Sequence, residues 1–170
     1  MSFSHDCKNL AIGTQQGGVY NFPIQNQLIS LHFSHKVYSN TSIEEITSLD
    51  FSLDGRLAVV VDTKGYFQKV LILDAPKADS SAYQILLVYI TDQPITSSVW
   101  SIRDPDVYVV GNRKVNEQGF KWMVVFLKLS DMSYYGKVSM QNTTVLAFSP
   151  DGEYLYQGSP DDDIAVYKYS

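Results

Sequence analysis

Phe148-Ser149-Pro150-Asp151-Gly152 is the stretch that decides the fold of this 170-residue chain, because it recurs along the sequence. Related stretches are Phe51-Ser52-Leu53-Asp54-Gly55, Phe3-Ser4-His5-Asp6-Cys7 and, in a degenerate form, Trp100-Ser101-Ile102-Arg103-Asp104. The copies begin at positions 3, 51, 100 and 148, so they are separated by 48, 49 and 48 residues. This nearly constant spacing predicts a repeat architecture.

Each copy is interpreted as an apolar strand end that runs into a tight turn. Ser, Pro, Asp and Gly all favour turns, and Gly55 and Gly152 stand where a positive φ is expected. Cys7 occupies the same place in the first copy. We therefore interpret it as a small turn residue and not as a reactive thiol.

Four short strands are expected in each complete unit. One strand follows the turn, as in Leu57–Val61 and Tyr154–Tyr156, and a second ends in a large apolar residue. A third strand is expected near Leu28–Phe33, Tyr83–Ile90 and Ser133–Met140, and the next unit opens with another at Ile46–Phe51, Ile95–Trp100 or Thr143–Phe148. Many of these strands are apolar at consecutive positions, which indicates sheets covered on both faces.

Radially stacked sheets meet that condition, because each blade of a β-propeller lies between its neighbours. The sequence therefore predicts an all-β fold of about three and a half four-stranded antiparallel β-propeller blades. It is expected to form a single partial domain over residues 1–170, with repeat units at approximately 1–41, 42–91, 92–141 and 142–170. Phe51, Trp100 and Phe148 are predicted to occupy equivalent buried sites.

Over nearly its whole length the chain resembles the WD-repeat family of β-propellers. The best copy is Val145 to Tyr169, with the Phe-Ser-Pro-Asp-Gly turn, Gly158-Ser159, and Val166-Tyr167 at the end of a strand. The copies depart from the family in lacking the Gly-His and Trp-Asp dipeptides, and Leu73-Asp74 is the nearest match to the latter. The resemblance implies a non-catalytic scaffold for protein–protein interactions, within a larger protein or a multi-subunit assembly. The alternative is a propeller enzyme, or an enzyme-associated propeller, of the lactonase or hydrolase type.

About three and a half blades are fewer than most rings of this kind hold, since propellers close with about 4–8 blades. Two explanations come first: the chain is a portion of a longer protein, or another chain completes its ring. A self-closed ring of four blades ranks third, because it would leave a gap.

The sequence contains no recognisable catalytic, cofactor-binding or metal-binding motif, so no cofactor and no enzymatic activity are expected. His5, His32 and His35 lack further ligands at a suitable spacing. The acidic run Asp161-Asp162-Asp163 occupies a hairpin turn in the repeat, where Asp is favoured for local hydrogen bonding.

Binding is expected instead on the loops that join the second and third strands and on those that join successive blades. Two of these loops are long, Ser34–Glu45 and Arg113–Gly119, and long loops on a rigid scaffold collect binding residues. The candidate partner-binding residues are His35, Lys36, Tyr38, Arg113, Lys114, Asp161 and Asp162.

Composition constrains the partners and the compartment. The formal net charge of −5 argues against nucleic acid. No apolar run approaches the roughly 20 residues of a spanning helix, so no membrane insertion is expected. The single cysteine and the N-terminus without a signal-peptide pattern favour a reducing compartment, the cytoplasm or alternatively the nucleus. Other proteins are therefore the expected partners, including a chain or segment that completes the propeller.

Overall fold

The computed structural model of the protein describes residues 1–25, 28–29, 35–39, 44–64, 67–74, 83–116, 119–139, 144–159 and 164–169. For residues 25, 28–29, 35–39, 113–116, 119–122 and 137–139 it describes the backbone alone. Within these ranges the chain is built from sixteen β-strands and contains no helix.

The strands form four antiparallel sheets in chain order. The first contains β1 (Ser2–Phe3), β2 (Asn9–Gly13), β3 (Gly18–Gln25), β4 (Leu28–Ile29) and β5 (His35–Ser39). The second contains β6 (Glu45–Phe51), β7 (Leu57–Asp62), β8 (Gln68–Asp74) and β9 (Gln84–Thr91). The third contains β10 (Ile95–Trp100), β11 (Val107–Asn116), β12 (Gly119–Lys128) and β13 (Ser133–Ser139). The fourth contains β14 (Val145–Phe148), β15 (Tyr154–Gly158) and β16 (Ile164–Lys168).

The sheets belong to two compact units, Met1–Asp92 with the first two sheets and Gln93–Ser170 with the last two. Each sheet lies inside one of the predicted repeat units. Each unit has its own apolar core, in which one face of the first sheet meets the second, or one face of the third meets the fourth. The single domain over residues 1–170 stays a prediction.

The aromatic positions that open the repeats are equivalent in register. Phe51 pairs with Leu57, Trp100 with Tyr108, and Phe148 with Leu155, each directly across the turn. Trp100 and Phe148 are buried as predicted, but Phe51 is only half-buried. The reason is a cavity between the turns of the first and second sheets, which Phe51 lines.

Two of the predicted loops are in fact largely strand. Within the predicted loop Ser34–Glu45, His35–Ser39 forms β5 and pairs with β3 as the outer strand of the first sheet. Of the outer strand predicted near Leu28–Phe33, Leu28–Ile29 is strand and pairs as β4 with the end of β3, whereas residues 30–33 lie outside the described residues. An outer strand tolerates polar residues because one of its sides faces solvent.

The predicted loop Arg113–Gly119 is a β-hairpin arm. Arg113 pairs with Trp122 and Lys114 with Lys121, in the continuation of β11 and β12. The pairing of β10 with β11 stops at Asn112, and the pairing of β13 with β12 stops at Trp122. Among the described residues the arm therefore extends beyond these two strands as a two-stranded ribbon. Valine, phenylalanine and tryptophan in this stretch favour strand, and they outweigh the polar residues that suggested a loop.

Candidate interaction surface

The repeated turns are held by a shared set of local hydrogen bonds. The hydroxyl of Ser149 donates to Asp151 Oδ1 at 2.5 Å and accepts from the N–H of Tyr154 at 2.9 Å. Ser4 and Ser52 make the corresponding pairs with Asp6 and Asp54. The serine hydroxyls lower the pKa values of Asp6 and Asp151. These carboxylates therefore stabilise the turns by accepting hydrogen bonds from the serine two residues earlier, which accounts for the Ser-x-Asp spacing of the repeat.

The interpretation of Cys7 as a turn residue is confirmed, because its φ of 56° lies in the same left-handed region as those of Gly55 and Gly152. A side chain in that region costs about 1–2 kcal/mol. We expect Cys7→Gly to raise the free energy of unfolding by about 0.5–1 kcal/mol, since relief of this strain outweighs the entropy that glycine adds to the unfolded chain. Urea denaturation of Cys7→Gly and Cys7→Ala measures the difference. A glycine variant no more stable than the alanine variant would contradict the argument.

The threonines near the start of the inner strands are also used inside the sheets. Thr47, Thr96 and Thr144 each donate a hydroxyl hydrogen bond to a carbonyl of the neighbouring strand, on Val60, Gly111 and Gly158, at 3.1–3.2 Å. In β6 and β10 the strand register shifts at this threonine, so its hydroxyl donates to the neighbouring strand at the irregularity. Polar residues at these strand ends thus have a structural use in three repeats.

A cavity of about 290 Å³ lies between the first two turns, within residues 1–92. Its lining includes His5, Asp6, Phe51, Asp54 and Tyr83. Burial raises the pKa of Tyr83 to about 12, so the phenol is neutral there. Asp54 is paired with the guanidinium of Arg56 at 3.3 Å and Asp6 with its own turn. Both carboxylates therefore form their ion pair or hydrogen bond with residues of their own turns.

Sheet-to-sheet packing follows the same rule in both units. In residues 93–170, Val107, Val109, Val124 and Phe126 of the third sheet form one buried cluster with Leu146, Phe148 and Leu155 of the fourth. In residues 1–92, Ala11 and Val19 of the first sheet are buried with Leu49, Leu57 and Leu71 of the second. We call the face of a sheet that packs against the following sheet its forward face. The face that packs against the preceding sheet is its rear face.

The fourth sheet has an apolar forward face that no other described residue covers. The register places Tyr156 opposite Val166, and Gly158 opposite both Val145 and Ile164, on one side. The exposed fractions are 54% for Val145, 37% for Tyr156, 69% for Ile164 and 54% for Val166. Tyr156 and Val166 occupy the positions of the buried Val109 and Phe126 in the third sheet. Because it is contiguous, exposed and apolar, this face is the candidate interaction surface.

The predicted binding residues lie on separate elements in the two units. His35, Lys36 and Tyr38 lie along β5 in one unit, and Arg113 and Lys114 lie on the hairpin arm in the other. Asp161 and Asp162 lie outside the described residues. The residues of the open forward face are not among the predicted binding residues, because they have the pattern of buried strands and exposure leaves no local signal.

Among the side chains described, no group of three or more His, Cys, Asp or Glu residues is placed to hold a metal ion. The described part of the chain also has no helix long and apolar enough to cross a membrane.

No protein-family model matches the chain, and no curated protein matches it in sequence. Solved structures do match. The β-propeller domain of Cps50 (Swd1) from Myceliophteria thermophila superimposes with a TM-score of 0.65 at 12% identity, over 99% of this chain and 51% of that one. A chain of the mitotic checkpoint complex matches with a TM-score of 0.54 at 15% identity, over 99% of this chain and 60% of that one.

At this identity the likeness shows the fold. The predicted all-β fold of antiparallel propeller blades is confirmed, as is the resemblance to WD-repeat propellers. The four sheets are therefore blades. The chain spans between half and three-fifths of the length of these two solved chains.

Proposed function

We propose that this chain is a non-catalytic propeller scaffold that binds other proteins, within a larger protein or a multi-subunit assembly. The observation that carries the proposal is the open forward face of the fourth blade. Tyr156, Ile164 and Val166 on this face stand at the positions of Val109, Val124 and Phe126, which the third blade buries against its neighbour. Burial of such area stabilises an interface by about 25 cal/mol per Å².

Two observations support a scaffold over an enzyme. The serines, aspartates and threonines that recur in the blades make hydrogen bonds within their own turns and bulges. The solved propellers of similar fold also include a chain of a multi-protein complex, the mitotic checkpoint complex. The cytoplasm is the proposed location, since the lone Cys7 is exposed as a free thiol.

Loops and edges on the other blades remain part of this proposal. His35, Lys36 and Tyr38 on β5, and Arg113 and Lys114 on the hairpin arm, are proposed as secondary contacts. A rigid sheet can present such residues to a partner at lower entropic cost than a loop can.

The test compares hydrogen exchange of the isolated chain with that of the chain in its native assembly. We expect slower exchange in the assembly at Val145–Phe148 and Ile164–Lys168, because a covering partner excludes water from this face. Unchanged exchange at these strands, at β5 and at the hairpin arm would overturn the proposal.

A charge on the forward face provides a second readout. Val166→Glu should leave the stability of the isolated chain nearly unchanged, because the side chain is half exposed. It should weaken assembly by about tenfold or more, because the interface would bury an unpaired carboxylate. Ile102→Glu is the matched control, since Ile102 is similarly exposed but lies in the turn after β10. Equal effects of the two variants would count against this face.

A further inference from the structure

A row of exposed aliphatic side chains runs along β9, the outer strand of the second blade. Ile85, Val88 and Ile90 have exposed fractions of 53%, 50% and 58%. The register places Ile85 opposite Leu73 and Val88 opposite Leu71, and both leucines belong to the buried cluster that packs against the first blade. The row therefore lies on the rear face of the second blade, which is buried on its inner strands and exposed on β9.

The row leads into the cavity of about 290 Å³ between the turns of the first two blades. Tyr83, two residues before Ile85, lines this cavity and packs against the same buried cluster. The cavity, Tyr83 and the three aliphatic residues of β9 form a continuous depression, which we call the β9 groove. At about 3.3 Å per residue, the stretch from Tyr83 to Ile90 is about 20 Å long, enough for an extended segment of six or seven residues.

The cavity end of the groove carries two carboxylates, Asp6 from the first blade and Asp54 from the second. Oδ2 of Asp6 lies 3.8 Å from the ammonium of Lys8, which is longer than a hydrogen bond. Asp54 is paired with Arg56 between partly exposed side chains, and pairs of that kind contribute about 0–1 kcal/mol. Since an ionised carboxylate offers about four acceptor positions, both can accept hydrogen bonds from a further cation.

A buried acceptor without a donor lies behind the cavity wall. Asn9 lines the cavity, and its Oδ1 accepts a hydrogen bond from Nδ2 of Asn21 at 3.0 Å. Asn21 is 7% exposed, and its own Oδ1 has no hydrogen-bond partner among the described residues. A buried acceptor in this state costs about 1–3 kcal/mol. A ligand group with several hydrogen-bond donors therefore suits this end of the groove.

The groove is not a gap left by a missing strand, because both blades that border it have their outer strands, β5 and β9. The sequence next to it also lacks the side chains that would cover the row. Residues 75–82, which precede Tyr83, contain three alanines and one proline as their apolar residues. The aliphatic side chains that match Ile85, Val88 and Ile90 are therefore expected from a partner.

We propose that the β9 groove binds an extended segment of another protein, with an arginine side chain in the cavity between Asp6 and Asp54 and aliphatic side chains at alternate positions along the row. Alternate residues of an extended segment face the same side. A guanidinium group brings five N–H donors and stacks on aromatic rings, and Phe51 and Tyr83 line the cavity. This inference goes beyond the proposed function, because it adds a second surface that uses none of the residues of the open forward face.

A synthetic peptide with this pattern tests the groove on the full chain. The probe is fluorescein-labelled Arg-Ser-Leu-Thr-Leu-Thr-Ile-Ser, and its fluorescence anisotropy reports binding. We expect saturable binding that is about tenfold or more tighter than that of the same peptide with glutamate in place of arginine, because glutamate would meet two carboxylates. Equal binding of the two peptides, or no saturable binding of the arginine peptide, overturns the proposal.

The repeat supplies a matched control for the carboxylates. Asp54→Asn removes the charge in the cavity and keeps the side-chain oxygen that accepts from Ser52. It should weaken binding of the arginine peptide by about fivefold or more. Asp151→Asn makes the same change in the turn of the fourth blade, which does not line the cavity, and should leave binding unchanged. Equal losses in the two variants would assign the effect to the turns and overturn the proposal.

Val88→Thr tests the aliphatic row. Threonine has nearly the shape of valine, so the exposed position should keep its strand while the apolar contact is lost. Peptide binding should weaken by about threefold or more. Val145→Thr is the control, because Val145 is similarly exposed, at 54%, but lies on the fourth blade. A variant at Val88 that binds the peptide as tightly as the control counts against the groove.

The source of the segment is identified in the native assembly with a photo-cross-linking residue at Ile90. A cross-link to a different polypeptide supports the proposal, and a cross-link to a second copy or to the same polypeptide overturns it. Slower exchange at Val145–Phe148 in the assembly, together with no binding of the arginine peptide, would leave the scaffold function standing and remove the β9 groove as a binding site.

Discussion

Replacing Lys69 with alanine is expected to lower the free energy of unfolding by about 3–5 kcal/mol. The ammonium of Lys69 lies 2.5 Å from Oε1 of Glu44, with side-chain exposures of 18% and 4%. Removal of the lysine would take the ammonium away from the buried Glu44 carboxylate, and breaking one side of a buried ion pair is strongly destabilising. Urea denaturation followed by far-UV circular dichroism measures the loss.

The double variant Lys69→Met with Glu44→Met separates the missing charge from the missing packing. Replacing both partners of a buried pair with apolar residues of similar size is often neutral or stabilising. The double variant should therefore recover most of the stability lost in Lys69→Ala. A double variant as unstable as the single one would show that the ion pair is not the cause. The Lys69 ammonium lies 5.3 Å from the centre of the Phe67 ring, so Phe67→Leu is a control for that contact.

Phe148→Ala is expected to cost about 3–5 kcal/mol, the usual loss for an aromatic truncation in a core. Phe148 is 8% exposed and belongs to the buried cluster between the third and fourth blades. Its ring meets that of Tyr169 edge-on, at 5.4 Å between centroids, and Tyr169 in turn stacks on Phe126 at 6.1 Å. The truncation would open a cavity where these aromatic side chains meet.

Val145→Ala is the matched control for Phe148→Ala, because it lies on the same strand with its side chain on the open face. It should change the free energy of unfolding by no more than about 0.5 kcal/mol. A loss below about 1 kcal/mol for Phe148→Ala would show that the repeat alignment places the wrong residue in the core.

The turns could be predicted from the sequence because their causes are local. Ser149, Asp151 and Gly152 form the turn with hydrogen bonds that span two to five residues, and Gly152 adopts a φ of 71° that suits glycine. The same interactions recur at Ser52 and Asp54. A turn whose stabilising hydrogen bonds all lie within its own residues can be predicted without knowledge of the rest of the fold. The spacing of these turns then predicted the blades.

The outer strands could not be predicted as well, because pairing and not composition decides them. His35–Ser39 has the residues of a loop, but the free edge of β3 holds it as a strand. Arg113 and Lys114 are strand because Trp122 and Lys121 lie opposite them. Polar residues are neutral on a solvated outer strand, so their identity carries no information about which segment completes the sheet.

The open face and the buried ion pair depend on tertiary structure alone. Tyr156 and Val166 have the same pattern as Val109 and Phe126, and only the presence or absence of a neighbouring sheet decides which pair is exposed. Glu44 and Lys69 are 25 residues apart and meet because the second blade folds back on itself. Repeats and turns are set by short-range hydrogen bonding and apolar patterning, whereas exposure and charge pairing are set by which surfaces the folded chain brings together.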